Sequence, residues 1–485
     1  MTHQIAARKA AASAPSDPAP EDVFAFLMDY GTGKSGTILD EWGEMACSGG
    51  PQDLLVIAPA GSIRNWYEDK SDIQQSEINA QMDPAFVDRM EIAGWRSGGG
   101  KERLKRLERF MRVSDRPRAL FVNVEALSGV EKAQELVREF VSQRLAYVAV
   151  DESTTIKSRK AQRTKFIRSV GEEAVVRRIA TGLLTPKGPA DIFAQFQFLD
   201  WRIVGCKSWH SFEWEYCVTR RMETGGRRFD VIVGYKNQDE LADRIAPYSY
   251  RVLKSDCLDL EPKRYVMWDV EHTPEQRRLY RELRDNASVQ LGTGEFVSTQ
   301  HVMTLVMRLH QINLGFVVDE HGRTHEIPCN RPKELIEVLG LHRGKTIIWV
   351  PFHTPLKRIV AALEEEFGAG CTAQFHGANN STRGEDERRF LGDPECRFMV
   401  STQAAGGRGN TWNVADQTIY YGNTDDLEQR ANSEDRNHRK GQTNRVTYVD
   451  MRTPGTVDDK IIKNLRKKIT TATTMTREEA REWLI

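Results

Sequence analysis

Two series of short apolar runs constrain this chain more than any other feature. The first comprises Val23–Leu27, Leu54–Ala58, Ala119–Val122 and Ala146–Val150, with a weaker member at Arg178–Ala180. The second comprises Thr346–Val350, Thr372–Phe375, Arg397–Val400, Gln417–Tyr421 and Arg445–Val449. Most are four or five residues long with little polar alternation, the pattern of strands buried on both faces. Stretches of helical character lie between them, among them Lys101–Met111, Glu131–Arg144 and Pro355–Phe367. Such alternation predicts doubly wound α/β units with parallel sheets, and two series predict two units. The expected boundary falls at Leu258–Lys263, giving a first domain over 1–260, a second over 261–470 and a short tail over 471–485. Two stretches interrupt the rhythm. Trp201–Tyr250 is rich in aromatic and charged residues and reads as an insertion, with Gly225-Gly226 marking a hairpin turn. Gln276–Leu314 is charged and amphipathic, and reads as helical.

Composition removes several function classes. With 39% hydrophobic and 28% charged residues the chain has a globular composition. No apolar run approaches the roughly 20 residues that cross a bilayer. The N-terminal MTHQIAARKAAASAPSDPAP lacks a signal-peptide core and reads as a short helix followed by a loop. Seven cysteines are scattered without a C-x-x-C spacing, which indicates reduced thiols rather than a zinc or redox site. A cytoplasmic location is expected. The formal net charge is zero, so any surface for nucleic acid must be local.

Two motifs carry chemistry. The first is Met28-Asp29-Tyr30-Gly31-Thr32-Gly33-Lys34-Ser35, placed between an apolar run and a helical stretch. Backbone N–H groups in such a loop converge on an anion, and the following helix adds its positive end. Gly31, Thr32 and Gly33 form the turn, Lys34 would reach the outer phosphates of a nucleotide, and the Ser35 hydroxyl would hold Mg²⁺. Met28 stands where the full phosphate-loop pattern has its first glycine. The second motif is Val148-Ala149-Val150-Asp151-Glu152, a hydrophobic strand ending in two carboxylates. Asp151 would hold Mg²⁺ and Glu152 would orient or deprotonate an attacking water. Acid pairs at strand ends are also often only solvated; the loop upstream favours the chemical reading.

The ordered series MDYGTGKS, IAPAGSIRNW, VAVDEST and IATGLLTP, then VSTQAAGGRGNTWNVADQTIYY and EQRANSEDRNHRKGQ, resembles the Swi/Snf-like branch of the superfamily-two (DEAD/DEAH-box) helicases, in its compact phage and bacterial form. The last string matches the family's final motif through Gln429, Asp435-Arg436, His438-Arg439 and Gly441-Gln442. The resemblance implies two tandem RecA-like lobes with a cleft between them, binding ATP and Mg²⁺ and acting on DNA. It implies that Gln4 reads adenine, that Arg436 and Arg439 reach the γ-phosphate, and that Gly407 and Gly409 permit a tight loop near the nucleotide. Ser62, Arg64 and Asn65, with Ser401 and Thr402, are implied to touch the DNA backbone. Trp66, beside them, reads equally as core packing.

Three positions depart from the family pattern: Thr154 near the acid pair, Leu183-Leu184 after Thr181-Gly182 with Pro186 displaced, and Thr32 in the loop. The implied activity is DNA-dependent ATP hydrolysis with translocation, duplex favoured. The alternatives are a strand-separating helicase and a non-hydrolysing, nucleotide-gated DNA-binding scaffold.

Overall fold

In the computed structural model the described residues are 2–19, 22–69, 75–95, 101–112, 114–224, 227–286, 288–290, 296–298, 302–379, 381–407 and 411–475. They form two compact units that divide between Leu258 and Asp259, with the chain counted in the first unit again from Lys468. Each is built on a wholly parallel sheet, giving two doubly wound α/β lobes.

The first unit opens with helix α1 (Thr2–Ala12) and then strand β1 (Asp22–Met28). Its other sheet strands are β2 (Asp53–Ala58), β3 (Glu91–Gly94), β4 (Arg118–Asn123), β5 (Ala146–Asp151), β6 (Val176–Thr181) and β9 (Ser249–Val252), in the order β3-β4-β2-β5-β6-β1-β9. Successive side chains of a strand point to opposite faces. Accordingly Val23, Ala25 and Leu27 enter one core and Phe24, Phe26 and Met28 the other. Register places Asp151 level with Ala180, and Ala180 level with Phe26. The acid pair and the glycine loop therefore leave the sheet at the same end, the carboxyl end where α/β sheets bind ligands.

The weak run at Arg178 is a full strand with a charged interior. Arg178 is completely buried on β6, where its Nε and Nη2 donate to the Glu41 carboxylate at 3.0 and 2.8 Å. Nη2 also donates to Asp22 Oδ1 at 2.7 Å, and the Tyr147 hydroxyl donates to Glu41 Oε2 at 2.5 Å. Glu41 lies on helix α2 (Lys34–Cys47), so this buried group ties the helix behind the loop to β1, β5 and β6.

Trp201–Tyr250 is not separable from the lobe. Its Phe212, Tyr216, Leu241, Ile245 and Tyr248 belong to the first unit's core, and β9, which begins inside it, pairs with β1. The expected hairpin is present as β7 (Cys217–Thr224) against β8 (Arg227–Tyr235); its turn, Gly225-Gly226, lies outside the described residues.

The second unit has the strands β10 (Arg264–Asp269), β15 (Lys345–Val350), β16 (Thr372–Phe375), β17 (Phe398–Thr402), β18 (Ala415–Tyr420) and β19 (Thr447–Arg452), ordered β10-β19-β18-β15-β17-β16. Two short antiparallel pairs, β11 (Ser288–Gln290) with β12 (Phe296–Ser298) and β13 (Phe316–Val318) with β14 (Thr324–Glu326), lie outside this sheet. The expectation of continuous helix over Gln276–Leu314 is corrected: helices Pro274–Asn286 and Val302–Asn313 flank the β11–β12 pair. Leu279, Tyr280 and Leu283 of the first helix pack with Leu309 and Ile312 of the second in a core of their own. The tail expected over 471–485 begins as the end of helix Val457–Met475; 476–485 lie outside the described residues.

Candidate nucleotide site

Gly31 and Gly33 take φ values of 79° and 91°, a region that side-chain-bearing residues rarely occupy. Gly33 caps α2, which begins at Lys34. A Cβ at Gly33 would lie 2.3 Å from Gln4 Nε2, so any larger residue would displace the Gln4 side chain. Gln4 is buried and donates from Nε2 to the Gly33 carbonyl at 3.0 Å. The His3 ring lies 2.8 Å from the Thr32 carbonyl. Helix α1 is thus fastened to the loop through the Thr32 and Gly33 carbonyls.

Lys34 is buried, and its ammonium lies 3.6 Å from Glu152 Oε1. It donates to the Met28 carbonyl at 3.3 Å and sits 4.4 Å above the centre of the Tyr30 ring. Asp151 accepts a hydrogen bond from the Glu152 amide at 2.9 Å. Its pKa is raised to about 7, chiefly by burial and next by the charge of Glu152, with Lys34 and a hydrogen bond from Trp66 opposing. Glu152 itself adopts a left-handed backbone, φ 49° and ψ 59°, a conformation that costs a non-glycine residue of order 1–3 kcal/mol and clusters at functional sites.

Two carboxylates share one ammonium here, so the site is short of positive charge, and a divalent cation fits that deficit. Asp151 and the Ser35 hydroxyl would hold Mg²⁺. Among the described residues no group of three or more His, Cys, Asp or Glu side chains could hold a metal.

Several supporting residues carried no local sequence signal. Arg251 of β9 donates from Nη1 to the carbonyls of Leu27 and Gly182, both at 3.1 Å, and from Nη2 to Asp29 at 2.9 Å. One guanidinium therefore joins the loop to the segment after β6. Gln195 accepts from Ser153 at 2.6 Å and donates to the Leu184 and Asp191 carbonyls at 3.0 and 2.8 Å, linking the residue after the acid pair to the altered Leu183-Leu184 segment. Trp66 is buried within the core and faces Phe121, so it packs rather than projects. Arg64 is exposed on the short 3₁₀ helix Ile63–Trp66, with Ser62 and Asn65 half-buried beside it.

In the second unit the two arginines of the final motif lie beside Asp435. Arg436 Nη2 and Arg439 Nε lie 3.7 and 3.8 Å from its carboxylate. Arg436 is buried and donates from Nε to the Asn432 carbonyl at 2.8 Å, while Arg439 donates to Thr411 at 2.9 Å. Gln429 donates to Asp426 at 3.2 Å. Ser401 and Thr402 end β17 and are buried, and the Ser401 hydroxyl donates to the Phe375 carbonyl at 2.7 Å. In this geometry Ser401 braces the strand end and presents no hydroxyl to solvent. Gly407 follows a short helical turn, Gln403–Gly406, where an added Cβ would lie 2.3 Å from the Gln403 carbonyl. Gly409 lies outside the described residues.

The SNF2-related domain model matches residues 18–314. The human protein described as DNA annealing helicase and endonuclease ZRANB3 is 22% identical over 340 residues, 69% of this chain and 30% of its own. The Chromatin-remodeling ATPase INO80 of Mycosarcoma maydis is 38% identical over 110 residues, 22% of this chain and 6% of its own. The chain thus spans less than a third of either relative's length. A solved structure, the Sulfolobus solfataricus SWI2/SNF2 ATPase core in complex with dsDNA, is 19% identical with a TM-score of 0.40, covering 98% of this chain and 92% of its own. With more than half of its length matched by that domain model, the chain belongs to the SNF2-related family.

Proposed function

We propose that this chain is a DNA-stimulated ATPase that couples hydrolysis of Mg²⁺-ATP to translocation along DNA. The observation that carries the reading is the meeting of Lys34, Asp151 and Glu152 at one end of the first sheet, with Lys34 and Glu152 3.6 Å apart. The loop N–H groups and Lys34 bind the phosphates, and Ser35 and Asp151 hold the ion. Phosphate oxygens compete for the Lys34 ammonium and so release Glu152 to accept a hydrogen bond from the attacking water. Arg436 and Arg439 of the final motif are the proposed source of positive charge for the γ-phosphate. The DNA partner is supported by the human relative's description as a DNA annealing helicase, and by Arg64, which is exposed on the segment after β2.

Phosphate release measured with and without duplex DNA tests the reading. Duplex DNA is expected to stimulate it, and Lys34→Ala to lower the stimulated rate by roughly 10²–10³-fold, the scale of losing one preorganised charge donor. An unchanged rate in the variant would overturn the site. Turnover without DNA stimulation would overturn the coupling. Triplex displacement without fork separation is the expected sign of translocation, and fork separation would favour the strand-separating helicase.

A further inference from the structure

We infer that the β7–β8 ribbon and the Trp214–Lys236 pair at its base form a contact surface for the nucleic-acid phosphate backbone. The inference rests on the DNA reading above and adds a site to it. Among the described residues the ribbon pairs with no other strand. Its base is fixed in the core through Phe212, Tyr216 and Cys217, and the Lys236 amide donates to the Tyr216 carbonyl at 3.0 Å. A two-stranded ribbon is marginal by itself; this one is anchored, with Ile232 and Tyr235 also packed on the core.

The ribbon's sides are unusual in two ways. Trp214 is 78% exposed, Val233 55% and Met222 46%, a concentration of apolar surface that marks an interaction site. Between 217 and 236 there are five basic and two acidic residues in a chain of zero formal charge. Register divides them. On one face Arg221 pairs with Asp230 at 3.5 Å and Arg228 with Glu223 at 3.0 Å, which uses both acids. On the other face Arg220 stands opposite Val231, with Met222 two residues along the strand. At the base, Lys236 sits 5.4 Å from the centre of the exposed Trp214 ring. Arg220 and Lys236 stand beside apolar and aromatic surface, the ribbon's own two acids are ion-paired and Glu213 and Glu215 lie off the ribbon on either side of Trp214, so the ribbon itself complements a polyanion that also offers sugars and bases.

Equilibrium binding of fluorescent duplex DNA across a salt series tests this. The double variant Arg220→Glu with Lys236→Glu is expected to weaken binding at least about 10-fold at low salt. It should also flatten the slope of log K against log salt by about 2, since each phosphate contact contributes about 0.9. Arg220→Lys should keep the wild-type slope, and far-UV circular dichroism should show both variants folded. Wild-type binding with an unchanged slope in the double variant overturns the ribbon proposal alone. If wild type shows no salt-dependent DNA binding, the parent reading fails instead. DNA binding unaffected while Trp214→Ala abolishes self-association would assign the surface to protein and also overturn the proposal.

Discussion

In the first unit the helix behind the glycine loop is held through Arg178; in the second, the helix Leu427–Glu434 is held through Arg430. Both guanidiniums are buried. Arg178 is the cation of its group, facing buried Glu41 and half-exposed Asp22. Arg430 donates to Glu434 at 2.7 Å, pairs with Asp450 and stacks on Tyr420 at 3.5 Å. Glu434 has a second cation, Lys263, at 2.7 Å, and a hydrogen bond from Tyr265 at 2.8 Å. Burial would raise the Glu434 pKa, but Lys263 and then Arg430 outweigh it and hold it at about 2. The second unit thus has a redundancy that the first lacks. Losing Lys263 leaves Glu434 with Arg430, whereas losing Arg178 strands Glu41 in the core beneath the loop helix.

That contrast predicts the largest effect. Arg178→Ala is expected to destabilise the first unit by about 3–5 kcal/mol, the cost of one buried charge left without its partner. Replacing both charges, Arg178→Met with Glu41→Leu, should recover most of the loss, because no uncompensated charge remains. The counterpart Lys263→Met should cost less than Arg178→Ala. Urea unfolding reads all three. A double variant as unstable as Arg178→Ala would show that packing, not charge, holds α2 to the sheet.

The same contrast explains what the sequence disclosed. Runs such as Leu54–Ala58 announce buried strands because the sheet face and the residue type agree. β6 was faint because Arg177 and Arg178 break the apolar pattern, and the burial of Arg178 is licensed by Glu41 and Asp22, more than a hundred residues away. The loop, Asp151 and Glu152 were legible because their chemistry demands local spacing. Arg251 and Gln195 were not, because each acts through contacts set by topology, Arg251 across more than two hundred residues to Asp29. The break in Gln276–Leu314 was hidden because helical periodicity on both sides of a short strand pair reads as one helix.

The two units should also respond to pH with opposite sign. Asp151 is raised from 3.8 to about 7, so the folded first unit keeps a proton that the unfolded chain releases. Its contribution is fully present below about pH 4 and lost as pH rises towards 7. Without nucleotide and Mg²⁺, Asp151→Asn is therefore expected to stabilise the protein by about 2–4 kcal/mol at pH 8 and to have no such effect at pH 4. Thermal unfolding at the two pH values checks this. An equal effect at both would remove the charge deficit that makes the site fit a divalent cation.

His310 should give the smaller, opposite response. It is buried in the second unit, its Nε2 makes no hydrogen bond, and Asp458 lies 3.9 Å away. Burial lowers its pKa from 6.5 to about 4, with Asp458 opposing. Below pH 6.5 the unfolded chain binds a proton that the folded unit refuses, so stability is complete above 6.5 and falls as pH drops towards 4. His310→Phe preserves the ring contact that His310 makes with Phe352 at 5.5 Å and cannot be protonated. At pH 5 it should exceed wild type by about 1–2 kcal/mol, and at pH 8 the two should agree. A variant that tracks wild type across this window would place the acid sensitivity on the carboxylates, Asp458 first among them. Its pKa is held low by Arg331 and His310 against the effect of burial, so it would lose its ion pair with Arg331 only at still lower pH.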